Sequence, residues 1–546
     1  MTKLAVNSNF SKSNGQVIFE YILLAICLCV IALRTTLTET PTTQSTILPA
    51  NMNDNVYSLI LSAVLIFSFV VWLVWSFCSK RFLYRFTGIE IGLCLFIVAA
   101  VIASLAAANK RAAITGFVTM LAPVLMAVLL VQILDSQSKI KLLLTVIAAL
   151  GVVSAYQCAE QFFSSNRMMI EQYEQAPQSI LEPLGIQPGS FAQMLFEHRL
   201  YSKGVRSFFT TSNSAGSFAM LASFAAIALF LEEFRNRKFC ASGFRRIFTS
   251  GIAVAIVIFG LALTQSKGAI IASLIAAAMF IAYLLFGNWL KRHKKAILIA
   301  GLLLVLAGGC LIVQYGLTHN RLPGGNSMLV RWQYWQSTAK MYADHPLTGV
   351  GPGNFAASYT RYKPPEALET ISDPHNFLLS ILTQYGPLGL IGFLAIVFLP
   401  LRRAISPANR QSPIANHSEP AFTKLAVPFV IVISAVLLLI RPLITPLTNG
   451  AAADVMVYAI FVLYVAPVVV FAVGFWLLTT PIRNTQYTIR NTNIAAALFC
   501  AVLGLLIHNL IDFAIFEPGV FTVLWAITAC LIAIDFQRKS RSLFVL

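Results

Sequence analysis

Between residues 17 and 535 the chain returns repeatedly to uninterrupted apolar runs of about twenty residues, separated by short polar linkers. That repetition leaves little freedom in fold class. A helix needs about 20 residues to cross a ~30 Å hydrocarbon core. Lipid offers no partner for an unsatisfied backbone N–H or C=O, so such runs must be helices. The runs fall near 17–34, 57–77, 88–108, 113–134, 140–163, 207–232, 247–264, 269–287, 296–314, 375–399, 425–444, 455–478, 494–514 and 519–535. The expectation is an all-α polytopic membrane protein with about fourteen spans. Composition agrees: 58% of residues are hydrophobic, well above the ~45–50% of soluble domains.

The formal charge of +18 does not point to nucleic acid, because the lysines and arginines sit mainly in short linkers. Lys80, Arg81 and Arg85, Lys139 and Lys141, Arg235 to Lys238, Arg245 and Arg246, Lys291 to Lys295, Arg402 to Arg410, Arg483 and Arg490, and Arg538 to Arg541 all fall on alternate loops. The positive-inside rule then puts both termini in the cytoplasm, with Lys110 and Arg111 breaking the pattern. The nine cysteines lie mostly within apolar runs, and the closest pair, Cys27 and Cys29, lacks metal-site spacing, so neither a metal nor a cofactor is expected. No small-residue cleavage site follows residues 17–34, which read as a retained span.

The external side carries two long polar segments, 164–206 and 315–374. Loops of such length tend to be functional. Within the second, residues 327–343 lack Pro and Gly and place Trp332, Trp335 and Ala339 at helical spacing, which predicts an amphipathic helix at the interface carrying Arg331. The boundaries that follow are 1–163 for the first membrane helices, 164–206 for the first external loop, 207–400 for a core including loop 315–374, and 401–546 for the C-terminal helices.

Arg206, Lys267, Arg331 and Arg441 fall on the external side, as do His375, at the start of the tenth span, and a cluster of His508, Asp512 and Glu517. Guanidinium groups gathered at one face suit a phosphate or pyrophosphate, through bidentate charge-assisted hydrogen bonds. Arginine and lysine at helix ends also snorkel to lipid headgroups, and for Arg441 and Lys110 that reading is preferred. His375, where a polar loop re-enters the bilayer, is a candidate general base that Asp373 or Glu369 could orient. His345 reads as part of an Asp-His-Pro turn. His508 and Asp512 are spaced to share a helix face.

The run GVGPGNF at 349–355 resembles a phosphate loop at first sight. It lacks the GK[ST] of a P-loop and the G-x-G-x-x-G of a dinucleotide fingerprint, and no strand precedes it. A tight structural turn is the expectation, with backbone contact to an anion or sugar left open.

Four stretches in order, VRSFFTTSNSAGSFAM, LTQSKGAIIA, RWQYWQSTAKMYADHPLTGVGPGNFAASYTRYK and SDPHNFLLSILTQYGPLGLIGF, span roughly residues 200–400. Together they resemble the O-antigen ligase and O-antigen polymerase family, with its Wzy-type core. The resemblance implies a GT-C-like membrane glycosyltransferase of the bacterial inner membrane, with a periplasmic active site and roles in lipopolysaccharide and cell-envelope polysaccharide synthesis. It implies a polyprenyl-pyrophosphate-linked glycan donor and a glycan, lipid A core or protein as acceptor, with inversion and without metal. His375 would be the catalytic base or acceptor-positioning residue. Arg331 and Arg206 would hold the pyrophosphate, with Lys267, His345, Asn376 and Tyr359 as further substrate contacts. The family commonly has Ser-Arg-Gly where this chain has Ser266-Lys267-Gly268, which keeps the charge and loses the bidentate fork. An NPN-like element is reduced to Thr211-Ser212-Asn213. The alternatives are an O-linked protein oligosaccharyltransferase, sharing the site, and a transporter or flippase of lipid-linked saccharide. The latter would place charged residues deep within spans.

Overall fold

In a computed structural model, residues 13–37, 56–79, 83–235, 241–323, 325–365, 367, 370–404, 422–444, 453–479, 492–539 and 544–545 are described. Several basic residues used above for orientation (Lys80, Arg81, Arg237, Lys238, Arg410, Arg483, Arg490 and Arg541) and the candidate Glu369 lie outside them. The regular structure of the described residues is helical apart from a two-residue antiparallel ladder, β1 (Leu83–Tyr84) with β2 (Phe544–Val545). Its first five helices are α1 (Asn14–Thr36), α2 (Val56–Cys78), α3 (Ile89–Ala106), α4 (Lys110–Ile133) and α5 (Gln137–Glu160). A π-helical turn at Gln161–Ser165 leads into three loop helices, α6 (Asn166–Gln175), α7 (Pro177–Leu181) and α8 (Phe191–Tyr201). Then come α9 (Ser212–Arg235), α10 (Ala241–Leu263), α11 (Lys267–Arg292) and α12 (Lys294–His319). The second loop holds α13 (Asn326–Asp344) and α14 (Phe355–Tyr359), and α15 (Phe377–Ala404) follows. The remaining helices are α16 (Phe422–Ile444), α17 (Ala453–Ile460), α18 (Ala466–Thr479), α19 (Thr492–His508) and α20 (Pro518–Lys539).

Among the described residues eleven helical stretches are long and apolar enough to cross a membrane, and three shorter apolar helices accompany them at Ile247–Leu263, Leu425–Ile440 and Asn493–His508. These coincide with the apolar runs read from the sequence, so the polytopic membrane class stands. Burial sorts the helices. The most apolar window of α20 is 94% buried and that of α9 83%, whereas that of α12 is 0% buried. Hence α9 and α20 lie at the centre of the bundle, and α12 presents its length to lipid.

Close helix contact follows from small residues, as lipid-embedded packing requires. A Cβ on Gly392 would lie 2.7 Å from the backbone nitrogen of Phe96, so α3 and α15 touch backbone to backbone there. Two of the basic residues that set the expected orientation are paired within the protein at the opposite end from the long loops. Lys139 Nζ lies 2.8 Å from Glu20 and 2.9 Å from Asp135, and Lys141 Nζ lies 2.6 Å from Glu232.

Helix α15 is broken near its start. Gly386 adopts φ 69° and ψ −175°, and Pro387 has no N–H to offer the Thr383 carbonyl one turn back. The carbonyls this break frees are taken by the glycine run. Val350 N donates to Thr383 O at 2.8 Å and Gly351 N to Gln384 O at 3.1 Å. Gly349 sits at φ 67°, and a Cβ there would lie 2.5 Å from Thr383 O. The run GVGPGNF therefore repairs a helix break through its backbone, in keeping with the structural turn expected of it.

The predicted interfacial helix is α13, but its inward face matches the predicted one only in part. Trp332, Tyr334, Ser337, Thr338 and Met341 are buried, Trp335 is half-buried and Ala339 is exposed. Spacing alone had grouped Trp332, Trp335 and Ala339. Packing instead splits them, since Trp332 rests on Gly316 of α12 while Trp335 Nε1 donates to Pro374 O at 3.1 Å.

Candidate functional site

His375 stands just before α15 in a left-handed backbone conformation, φ 55°, which is rare for a residue with a side chain. Three contacts hold that short segment. Asp373 Oδ1 accepts the His375 backbone N–H at 2.9 Å, Asn376 Nδ2 donates to Leu510 O at 2.9 Å, and Phe377 N donates to Asn509 O at 3.0 Å. Asn376 Oδ1 also caps α15 by accepting from Leu378 N at 3.0 Å and Leu379 N at 3.1 Å. The imidazole stacks on Tyr334, with centroids 5.6 Å apart, and meets the edge of Phe513 at 4.6 Å. Among the described residues its Nδ1 has no hydrogen-bond partner. Burial pushes the imidazole down to about 4, with Asp512 opposing the shift and Arg331 reinforcing it. It is therefore neutral at physiological pH, the form that can accept a proton. Asp373 grips the backbone of His375, so it orients the ring indirectly.

Arg331 enters from α13. Its Nε donates to Ile511 O at 2.8 Å, its Nη1 to Ser327 O at 3.3 Å, and its Nη2 lies 3.4 Å from Asp512 Oδ2. Asp512 is 1% exposed, and its Oδ1 accepts the backbone N–H groups of Phe513 at 2.9 Å and Ala514 at 3.2 Å. Asn213, in the first turn of α9, donates to Asp512 Oδ2 and accepts from Ser266 Oγ at 2.6 Å. Ser266 also caps α11 through Ala269 N at 3.3 Å. One polar chain thus ties the starts of α9 and α11 to the α19–α20 connection and to the arginine.

The structure brings Arg331, His375 and Asn376 together around residues 509–513. Lys267 is the first residue of α11, next in sequence to Ser266, and its side chain is exposed. Arg206 is exposed in the loop before α9, with its backbone N–H held by Gln161 Oε1 at 3.0 Å. His345 lies apart from this cluster, exposed at the C-terminal end of α13. Tyr359 is 0% exposed, packed with Tyr334 and Phe355 in a small core beneath the loop. His508 and Asp512 do not share a helix face, because α19 ends at His508. His508 Nδ1 pairs instead with Ser217 Oγ at 2.8 Å. Glu517 accepts from the Thr210 hydroxyl at 2.6 Å, fastening the Arg206 loop to α20. Among the described residues no three His, Cys, Asp or Glu side chains group as a metal site would require.

Asn213, which pairs with Asp512, and Ser266, which pairs with Asn213, were not singled out as site residues from the sequence. Their signal was present only as motif members, since the contacts span 299 residues between Asn213 and Asp512 and 53 between Ser266 and Asn213.

The fold and site define a class: a polytopic membrane protein with an arginine, an unpaired neutral imidazole and a buried carboxylate gathered where a helical loop meets the bundle. Residues 252–394 match the family model described as O-antigen ligase, the family that the sequence motifs resemble. The matched segment contains Lys267, Arg331 and His375, while Arg206, Asn213 and Asp512 lie outside it. The match supports a membrane glycan-transfer function in general. No curated protein matches the chain.

Proposed function

We propose that this protein transfers a glycan from a polyprenyl-pyrophosphate donor to an acceptor hydroxyl, by one inverting displacement at the anomeric carbon and without a metal. The observation that carries the reading is the meeting of Arg331 and His375 at one bundle end, both facing the Asp512–Phe513 segment. The neutral imidazole takes the acceptor's proton as its oxygen attacks. The donor's pyrophosphate leaves with the bonding electrons, and the guanidinium of Arg331 stabilises the growing charge. Arg206 and Lys267 are further candidate cations for the diphosphate. The rate gain then comes from positioning and preorganised charge.

The bundle end bearing the long loops is assigned to the periplasm of the bacterial inner membrane, because the basic linkers alternate toward the other end. Ligation to lipid A core, chain polymerisation and O-linked protein glycosylation would share this site and differ in acceptor. The test is to give the purified protein a polyprenyl-pyrophosphate oligosaccharide and each acceptor class in EDTA. Release of polyprenyl pyrophosphate by wild type, lost in folded His375→Ala and Arg331→Ala, is the expected result. Lipid movement across a bilayer with no glycan transfer to any acceptor would replace the reading with a transporter.

A further inference from the structure

The glycine run and His375 are joined by a continuous line of hydrogen bonds. Gly353 N donates to Gln384 Oε1 at 2.9 Å, and Gln384 Nε2 donates to Ser380 Oγ at 2.9 Å. Ser380 Oγ donates to Asp373 Oδ2, and the other oxygen of Asp373 accepts the His375 backbone N–H at 2.9 Å. Ser380 is 0% and Asp373 8% exposed, so water does not readily replace the middle links. Gln384 and Ser380 lie one turn apart on α15, on the segment before its break, where the glycine run also takes the Thr383 and Gln384 carbonyls. The glycine run therefore grips this short segment by its side chain and its backbone at once.

We propose that Gln384, Ser380 and Asp373 form a positioning relay that fixes His375 in its left-handed backbone setting and so aims the imidazole at the acceptor. The relay rests on the reading of His375 as the base. A left-handed residue with a side chain persists only where its surroundings over-determine it. Here the Asp373 carboxylate supplies the determining bond, and the Ser380 hydroxyl orients that carboxylate. Gln384 in turn orients the hydroxyl and carries the position of the glycine run inward. The three touch neither substrate nor reacting atoms, so their effect passes through His375.

The charge on Asp373 matters to the relay. Burial pushes its carboxyl up to about 7, with the Ser380 hydroxyl and the His375 N–H opposing the shift and Asp512, from the α19–α20 connection, adding to it. Without the Ser380 hydroxyl the carboxyl holds its proton to higher pH, and its grip on His375 weakens near neutrality.

The experiment compares wild type, Ser380→Ala, Gln384→Ala, the double variant and His375→Ala, using a polyprenyl-pyrophosphate oligosaccharide donor and full-length protein in nanodiscs. The relay predicts a 10- to 100-fold fall in kcat at pH 7 for Ser380→Ala, with the donor KM within twofold, and a rising limb of kcat displaced to higher pH than that of wild type. Gln384→Ala falls at least fivefold, and the double variant falls no further than the worse single one, as residues acting in one line do. If Ser380→Ala does not fold, Gln384→Ala decides by the same split of kcat from KM. Full activity in the Ser380 and Gln384 variants, beside a dead His375→Ala, overturns the relay and leaves the base assignment standing. Full activity in His375→Ala removes the base assignment and the relay with it.

Discussion

Replacing Gly349 by alanine tests the repaired break in α15 directly. The new Cβ would lie 2.5 Å from Thr383 O, 2.7 Å from Gln384 C and 3.0 Å from Gln384 O, all backbone atoms that cannot swing aside. Holding alanine at φ 67° costs about 1–2 kcal/mol, and overpacking against a rigid wall about 1–3 kcal/mol more. The cheapest relief is to lift the loop, which sacrifices the Val350–Thr383 and Gly351–Gln384 hydrogen bonds. The free energy for opening this region should then drop by ~2–5 kcal/mol, a roughly 30- to 4,000-fold rise in local opening. Hydrogen exchange read by mass spectrometry reports it in peptides covering 347–355 and 380–388. Gly301→Ala is the control, because nothing lies within 4 Å of a Cβ there. It should leave both peptides unchanged. Unaltered protection of both peptides in Gly349→Ala would refute the claim that the loop is seated on the broken helix.

Three further expectations concern the site. Arg331→Ala strips the cation from an Asp512 that keeps Asn213 and two backbone N–H donors, at a long 3.4 Å pairing with the arginine 16% exposed, so a thermal-unfolding cost of ~1–3 kcal/mol is expected, below that of a fully buried pair. Asp512→Asn should cost less in that background than in wild type, and equal costs would show the two uncoupled. Gly268→Ala would place a Cβ 2.8 Å from His508 Nε2 and push the ring off Ser217, destabilising the protein by ~1–3 kcal/mol less the gain in helix propensity, and His508→Ala should relieve part of that cost. Purely additive losses would remove the contact. For pH, His375 falls from its ordinary 6.5 to about 4, so the unfolded chain binds that proton more readily and acidification through this window costs stability. Asp373 rises to about 7, so the folded chain keeps its proton, and the stability this brings at low pH is lost as pH climbs from about 4 to 7. The two oppose between about 4 and 6.5. Wild type should therefore lose stability relative to His375→Gln as pH falls through that range, by at most ~3 kcal/mol, and parallel melting profiles would contradict the shifted imidazole.

The membrane helices were legible because each is decided locally, by some twenty apolar residues between polar linkers. The inward face of α13 was not. Trp332, Trp335 and Ala339 share a helical spacing, but which of them is buried depends on Gly316 and Pro374, contributed by other elements. His375 and Arg331 could be picked out as candidates, whereas what holds them could not. Asp512 meets Arg331 across 181 residues, and Asn213 meets Asp512 across 299. The glycine run shows the same division. Its tightness was readable from composition, and its purpose depended on Pro387 leaving a carbonyl unclaimed nearly forty residues later in the chain.

The deep burial of α20 has a consequence for how the protein is made. Arg34, near the end of α1, donates from Nη1 to Thr522 of α20 at 3.1 Å, and from Nη2 to Ser58 O at 3.1 Å and Ser62 Oγ at 2.7 Å. The second pair can form as soon as α2 follows α1 into the membrane. The first must wait for Thr522, 488 residues beyond Arg34, which at ~5–20 residues per second is roughly 25–100 s of translation. Throughout that interval the earlier helices reside in the bilayer with their central slot unfilled. Assembly of the bundle is completed from the inside, by a helix that arrives after those that surround it.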